Sequence, residues 1–207
     1  RDALMKLSLN DSSLVYDVES SSALGHGFRC GFLGLLHMEI VQERLEREYE
    51  LNLIATAPSV SYEIVKTTGE VLKIANPVEL PDLSYIGEMR EPWMKIEIIT
   101  PREYIGGIMK LCEERRGIQK NMQYLESVRA IITFELPLSQ IIMDFYDQLK
   151  SISSGYASMN YEFLEYRAED LVKLDMLVLG DKVDALSTIV HRSEAYRVGS
   201  VLTKRLK

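Results

Sequence analysis

The segment Gly25–Tyr49, GHGFRCGFLGLLHMEIVQERLEREY, constrains this chain most. Gly25, Gly27, Gly31 and Gly34 stand before or at a helix start, where backbone freedom or close approach is useful. Past them the pattern turns helical. Leu33, Val41, Leu45 and Tyr49, with Leu36 and Ile40 beside them, form one apolar stripe. Glu39, Gln42, Glu43, Arg44, Glu46, Arg47 and Glu48 cover the other side, and Glu43 can pair with Arg47 at i,i+4. The segment reads as a loop and strand feeding a long amphipathic helix. His37 falls on the stripe, where a hydrogen-bonded core histidine is expected rather than a catalytic one.

On either side the chain supplies further elements. Arg1–Leu9 reads as the end of a helix with Leu4, Leu7 and Ala3 inward, stopped by Asn10-Asp11-Ser12. Leu14, Tyr16 and Val18 alternate as a strand, Ser20-Ser21-Ser22 opens a loop, and Phe28-Arg29-Cys30 returns. Val60, Tyr62 and Ile64 alternate as another strand. Helix, strand, strand, helix, strand is a ferredoxin-like βαββαβ unit missing its first strand. The chain begins inside the first helix of that unit. Thr68–Glu91 loses periodicity, and Pro77, Pro81, Gly87 and Pro92 break it, so the domain boundary is expected there.

The second unit is cleaner. Met94, Ile96 and Ile98 alternate. Thr100-Pro101-Arg102-Glu103 starts a helix with a capping residue, proline at the first position and glutamate three after the cap. Strands follow at Ile118–Tyr124 and Val128–Phe134, with Glu126-Ser127 as the turn. Pro137 opens a helix with Leu138, Ile141, Ile142, Phe145, Leu149 and Ile152 inward. Gly155 ends it, and Ala157, Met159, Tyr161 and Phe163 alternate as the fourth strand. Beyond Arg167, Val172–Val178 and Ala185–Val190 read as strands around Gly180-Asp181. Ser193 caps a last helix with Ala195, Val198, Leu202 and Leu206 inward. The fold class is α+β: two ferredoxin-like units, the first lacking its initial strand, then part of a small α+β domain.

Composition excludes several functions. With 46% apolar and 27% charged residues the chain can bury a core. No apolar run approaches the roughly 20 residues that span a bilayer, and no signal peptide is evident. Cys30 and Cys112 lack metal-ligand spacing and are expected to be reduced and buried. No G-x-x-x-x-G-K-[ST] phosphate loop occurs, and His26, His37 and His191 are scattered. The chain alone is therefore not expected to be an enzyme, and no cofactor or metal is expected in it.

What remains is positive charge in a chain of net −7. Arg115, Arg116 and Lys120 end the first helix of the second unit, where they either complement the helix C-terminus or meet RNA phosphates. Lys150, Ser153, Ser154 and Tyr156 end the other helix, as a plain cap or as small, hydroxyl and aromatic contacts to RNA. Both turns are expected at one end of the domain, with the arginines chosen for bidentate phosphate contact. His191, Arg192, Arg197, Lys204 and Arg205 give the last segment a positive excess that suits a polyanion.

Gly31-Phe32-Leu33-Gly34-Leu35-Leu36-His37-Met38-Glu39-Ile40 resembles the G-x-G-E-L-H-L-E-I segment in the third domain of translational GTPases related to elongation factor G. The longer run from Ala23 to Val60 is similar to the LepA, or elongation factor 4, branch. Cys112-Glu113-Glu114-Arg115-Arg116-Gly117, Phe134-Glu135-Leu136-Pro137-Leu138 and Ser153-Ser154-Gly155-Tyr156-Ala157-Ser158 resemble the fifth domain of that family. Asp170–Asp175 and Val183–Arg192 look like the start of the C-terminal domain peculiar to LepA.

The resemblance implies residues 1–75 as an incomplete third domain, 76–91 as a linker, 92–167 as the fifth domain and 168–207 as the start of the C-terminal domain. It further implies a ribosome- and tRNA-contacting region, with rRNA, ribosomal proteins and tRNA as partners. Back-translocation and fidelity of protein synthesis are the associated roles. GTP and Mg would act only in a G domain absent from this sequence. Arg115, Arg116, Lys120, Lys150, Ser153, Ser154 and Tyr156 would face the ribosome, and Lys173, His191, Arg192, Arg197, Lys204 and Arg205 the tRNA. The parent would be cytoplasmic and ribosome-associated, with room for peripheral association at the inner face of the cell membrane. The rival reading is a ferredoxin-like small-molecule-sensing or scaffold module.

Overall fold

The computed structural model describes residues 1–21, 25–55, 59–125, 128–142, 144–178 and 180–205. The loop expected at Ser22, the turn at Glu126-Ser127 and the inward Leu206 lie outside them. Contacts divide the chain into two units, Arg1–Ala57 with Leu174–Thr188, and Pro58–Lys173 with Ile189–Lys207.

In the first unit, helix α1 (Asp2–Asn10) buries Ala3, Leu4 and Leu7, the face read from sequence. Strands β1 (Val15–Ser21) and β2 (Gly25–Gly31) pair antiparallel from Val15↔Gly31 to Ser21↔Gly25. Helix α2 (Leu35–Glu48) adds Val41 and Leu45 to a core shared with α1 and Leu14, with Tyr16, Cys30, Phe32 and Tyr49 packed around it. The Glu43–Arg47 pair forms at 2.8 Å. Leu33 and Leu36 do not join this core: they are 75% and 70% exposed, and Ile40 is exposed too. Leu33 precedes the helix. At about 100° per residue, Ile40 and Leu36 sit progressively further round from Val41, outside the one stripe that α1 covers.

The second unit is built on β5 (Ile86–Pro101), which is sixteen residues long. After it come α3 (Ile105–Glu114), β6 (Ile118–Leu125), β7 (Arg129–Pro137), the short α4 (Leu138–Ile141), α5 (Phe145–Ile152) and β8 (Ser158–Ala168). β5 pairs with β7 over Trp93–Pro101 and with β8 over Arg90–Ile99. The order β8-β5-β7-β6, all antiparallel, is the ferredoxin-like arrangement expected from the alternating strands. Met94, Ile96, Ile98, Ile132, Phe134 and Leu136 face Ile108, Leu111, Cys112, Phe145 and Leu149 of the two helices. The middle of β5 is bound on both edges, which is why its inward side chains are almost fully enclosed.

The strand expected to complete the first unit is placed differently. β3 (Tyr62–Lys66) pairs with β4 (Val71–Ile74) and with the start of β5. Arg90 faces Glu63 on one edge and Ala168 on the other, so β3 lies on the β7 edge of β5, ahead of where β7 begins. The reason is geometric: β5 overruns β7, and β3 fills the backbone edge left open. Val60, Tyr62, Ile64, Ile74 and Met89 then form a second core with Leu171 and Ile189. The division of the chain by contacts falls at Ala57–Pro58.

The last segment is more broken than alternation suggested. β9 (Leu171–Leu174) pairs with β12 (Thr188–His191), and Leu171, not Val172, is buried. A separate hairpin, β10 (Leu177–Val178) with β11 (Asp181–Lys182), turns at Gly180, whose φ is +93°. Helix α6 (Ala195–Arg205) ends the described chain. No described helix is long and apolar enough to cross a membrane.

Candidate nucleic-acid interface

Helices α3 and α5 follow strands that run antiparallel to each other, so the helices are themselves antiparallel. Two contacts fix this. At one end Arg115, just past α3, reaches Asp144, just before α5, at 2.6 Å. At the other, Tyr104 before α3 stacks on Tyr156 after α5, with centroids 6.4 Å apart and planes 11° from parallel. The Arg115–Lys120 turn and the Lys150–Tyr156 turn therefore occupy opposite ends of the unit. The expectation of a shared end is corrected: the C-terminus of one helix meets the N-terminus of the other.

The arginine end is closed by its own carboxylates. Arg116 takes φ +62° and Gly117 follows; a side chain at Gly117 would put its Cβ 2.6 Å from the Cys112 carbonyl oxygen. This tight turn aims Arg116 inward, with Nη1 2.7 Å from Glu91 Oε1 and Nη2 3.3 Å from Glu169 Oε2. Its guanidinium lies 5.9 Å from the Trp93 ring centroid, and that of Arg167 lies 4.6 Å from it. Arg167 and Lys120 both hold Glu135, at 2.6 and 3.2 Å. Glu91 is 1% exposed. Burial raises its pKa above the usual carboxylate range, and the charge of Arg116 opposes the rise. At Glu135 and Asp144 burial pushes the same way, but Arg167 with Lys120, and Arg115, outweigh it and the pKa falls. Arg115 and Arg116 are thus committed to internal ion pairs, while Lys120 shares Glu135 with Arg167 and stays 46% exposed. The sequence could not show this, because their acids sit on other strands and helices.

The opposite end is open. Ser153, read as an RNA contact, is instead buried: its Oγ donates to the Leu149 carbonyl at 2.7 Å and accepts the Ala157 N–H at 3.1 Å. Ser154 and Gly155 take φ +51° and +81°, and the Gly155 N–H donates to the Lys150 carbonyl at 2.8 Å. This locked turn presents Tyr156 to solvent, 71% exposed. Lys150 is exposed with Nζ 4.4 Å over the Tyr146 ring. Arg102, two residues before Tyr104, lies 4.3 Å over Tyr124. Sequence reading missed Arg102, Tyr104, Tyr124 and Tyr146. Arg102 was in view as part of a helix start and Tyr124 as the end of a strand, but nothing in the sequence marked Tyr104 as the ring that would back Tyr156.

The terminal basic residues divide as well. Arg192 pairs with Asp170 at 2.8 Å and Arg197 with Glu194 at 2.7 Å. His191 Nδ1 lies 2.7 Å from Ser193 Oγ, and its Nε2 3.8 Å from Glu169. Lys173 lies half-buried in β9, Lys204 is exposed on α6, and Arg205 closes that helix. Arg192 and Arg197 still leave much of their guanidinium in solvent.

In the first unit His37 accepts the Leu33 N–H on Nδ1 at 3.0 Å and bonds Asp11 through Nε2 at 2.7 Å. It ties the end of α1 to the start of α2, a structural role as expected. Among the described residues no cluster of His, Cys, Asp or Glu could hold a metal. The groove of about 520 Å³ at Leu83, Ile86–Met89 and Ala168–Leu171 has no lysine or arginine in its lining, so it offers a phosphate no cation.

Comparison with known proteins is consistent with this picture. Residues 88–177 match the family model described as the elongation factor G C-terminus. Proteins named elongation factor 4 are 59% identical over all 207 residues in Chlorobium limicola, 56% in Desulforudis audaxviator and 56% in Microcystis aeruginosa. The chain spans 34% of the length of each. A crystal structure of a Thermus thermophilus protein covers 81% of this chain and 38% of its own at a TM-score of 0.49 and 16% identity, a likeness that adds nothing to the sequence matches.

Proposed function

We propose, since this chain belongs to the elongation factor 4 family, that it supplies ribosome- and tRNA-facing surface to a translational GTPase active in back-translocation and fidelity. The chain accounts for only about a third of its relatives' length, and it carries no phosphate-loop motif. GTP and Mg would therefore be held, and GTP hydrolysed, in a G domain outside these 207 residues. The observation that carries the reading is the identity of 56–59% to elongation factor 4 along the whole chain.

The geometry supports one end of the second unit over the other as the RNA-facing surface. The surface facing rRNA is the Lys150–Tyr156 end of the second unit, because Arg115 and Arg116 are held by Asp144, Glu91 and Glu169. The tRNA-facing surface is the exposed part of the last segment, Arg192, Arg197 and Lys204. Co-sedimentation of the chain with 70S ribosomes across a salt series tests this. Lys150→Ala should weaken binding and flatten the log–log salt slope by roughly 0.7–0.9, whereas Arg115→Ala should leave the slope unchanged. A chain that never pellets with ribosomes at low salt would sink the proposal.

A further inference from the structure

We infer that Tyr156, backed by Tyr104, is a stacking platform for a single unpaired RNA base; this rests on the ribosome-facing reading above. Three features carry it. First, Tyr156 is large, apolar over most of its ring and 71% exposed, yet its backbone is locked. The Tyr156 N–H donates to the Ser153 carbonyl at 2.9 Å, and Ser153 is itself pinned by its buried hydroxyl. An aromatic held rigidly in water loses little side-chain freedom on meeting a flat partner.

Second, the ring has a parallel ring beside it. Tyr104 is half-buried and packs against the core of the unit, and the two planes differ by only 11°. The platform is thus oriented by the domain core, and its outer face is left for a base.

Third, cations flank it on the same end: Lys150, whose carbonyl accepts from Gly155, and Arg102, two residues from Tyr104. Each lies over a tyrosine ring, Arg102 over Tyr124 and Lys150 over Tyr146. Aromatic faces with interleaved cations suit single-stranded or looped RNA, whose bases can splay out, and not a continuous duplex. Stacking does not distinguish bases strongly, so the site should select an unpaired nucleotide, not a sequence.

The probe is an RNA hairpin with one bulged 2-aminopurine, beside the same stem fully paired with 2-aminopurine inside it. The full chain should quench the bulged base and bind that stem more tightly. Tyr156→Ala should weaken the bulged stem about tenfold or more, the equivalent of one stacked base, and leave the paired stem unchanged. Tyr156→Phe should retain both affinity and quenching. Lys150→Ala should weaken both stems together and lower the salt slope. If Lys150→Ala weakens binding while Tyr156→Ala changes neither stem by twofold, the stacking platform is overturned and the RNA-facing reading stands. If neither variant matters and the chain does not pellet with ribosomes, both fall. Loss of ribosome pelleting in Tyr156→Ala without any quenching of the bulge would assign the ring to a ribosomal protein and overturn the RNA assignment.

Discussion

The two ends of the α3–α5 pair use similar residues in opposite ways. At one end Arg115, Arg116 and Arg167 meet Asp144, Glu91, Glu169 and Glu135, and the charges are consumed inside the protein. At the other, Lys150 and Arg102 lie over tyrosines and Tyr156 stands in solvent. A basic cluster in a sequence is equally compatible with either. What decides is whether acids on neighbouring strands converge on it. Glu91 and Glu135 do so because β5 and β7 are paired, and β8 delivers Arg167, with Glu169 just past its end, to the same place.

The largest break in this comparison should come from Arg116→Ala. It leaves Glu91 buried without its cation, a change that typically costs about 3–5 kcal/mol. Thermal or urea unfolding followed by the single tryptophan, Trp93, reads it directly. A variant as stable as the parent would mean that the ion pairs do not hold this end together.

The same variant sharpens the argument through pH. Burial raises the Glu91 pKa, so the stability it contributes is present below its unfolded value and is lost as pH rises through the folded one. Arg116 opposes that rise, so removing it moves the folded pKa higher still. The deficit of Arg116→Ala relative to the parent should therefore shrink as pH falls from about 8 towards about 5. A deficit independent of pH would place the loss in packing over Trp93 and not in the buried carboxylate.

A smaller effect should follow at the turn that aims Arg116. The 2.6 Å approach to the Cys112 carbonyl oxygen makes Gly117→Ala a clash with backbone, which cannot simply rotate away. Overpacking of this kind costs about 1–3 kcal/mol. Because the turn carries both arginines, the substitution should also loosen the Trp93 environment, visible as a shift in its emission. Unchanged stability and emission together would show the turn to be slack.

How far all this could be read from sequence follows the range of the interactions. The alternations at Met94–Ile98 and Ala130–Phe134 and the start of the fourth strand, Ala157 and Met159, are local and took their expected face, whereas Val128, Tyr161 and Phe163 are 63%, 42% and 56% exposed. His37 was read correctly because its helical position placed it next to the core, although its partner Asp11 is 26 residues away. The errors lie where a partner outside the local pattern decides. Val60–Ile64 is a strand in either unit; only the overhang of β5 selects the second. Leu36 and Ile40 satisfy an apolar count, but a single covering helix buries one stripe of α2. Arg115 finds its acid 29 residues on, and no periodicity marks Asp144 as that partner. Tyr104 and Tyr156 are joined only by the packing of two helices.

The smallest expected effect belongs to the open end, and its smallness is the point. Gly106 lies in the first turn of α3, and a Cβ added there meets nothing within 4 Å. Gly106→Ala should be neutral or stabilise by about 0.4–1 kcal/mol, through restriction of the unfolded chain. Tyr156→Ala should change stability by no more than about 0.5 kcal/mol, as an exposed substitution does. The pair therefore separates contact from folding more cleanly than any change at the arginine end, where Arg116→Ala and Gly117→Ala disturb both. Ribosome co-sedimentation with these two well-folded variants supplies the missing arm. Tyr156→Ala should reduce pelleting while its melting temperature stays put. A large fall in the melting temperature of Tyr156→Ala would show that the Tyr104–Tyr156 stack holds the helices together. The two ends would then both be structural clamps, and the contrast between them would disappear.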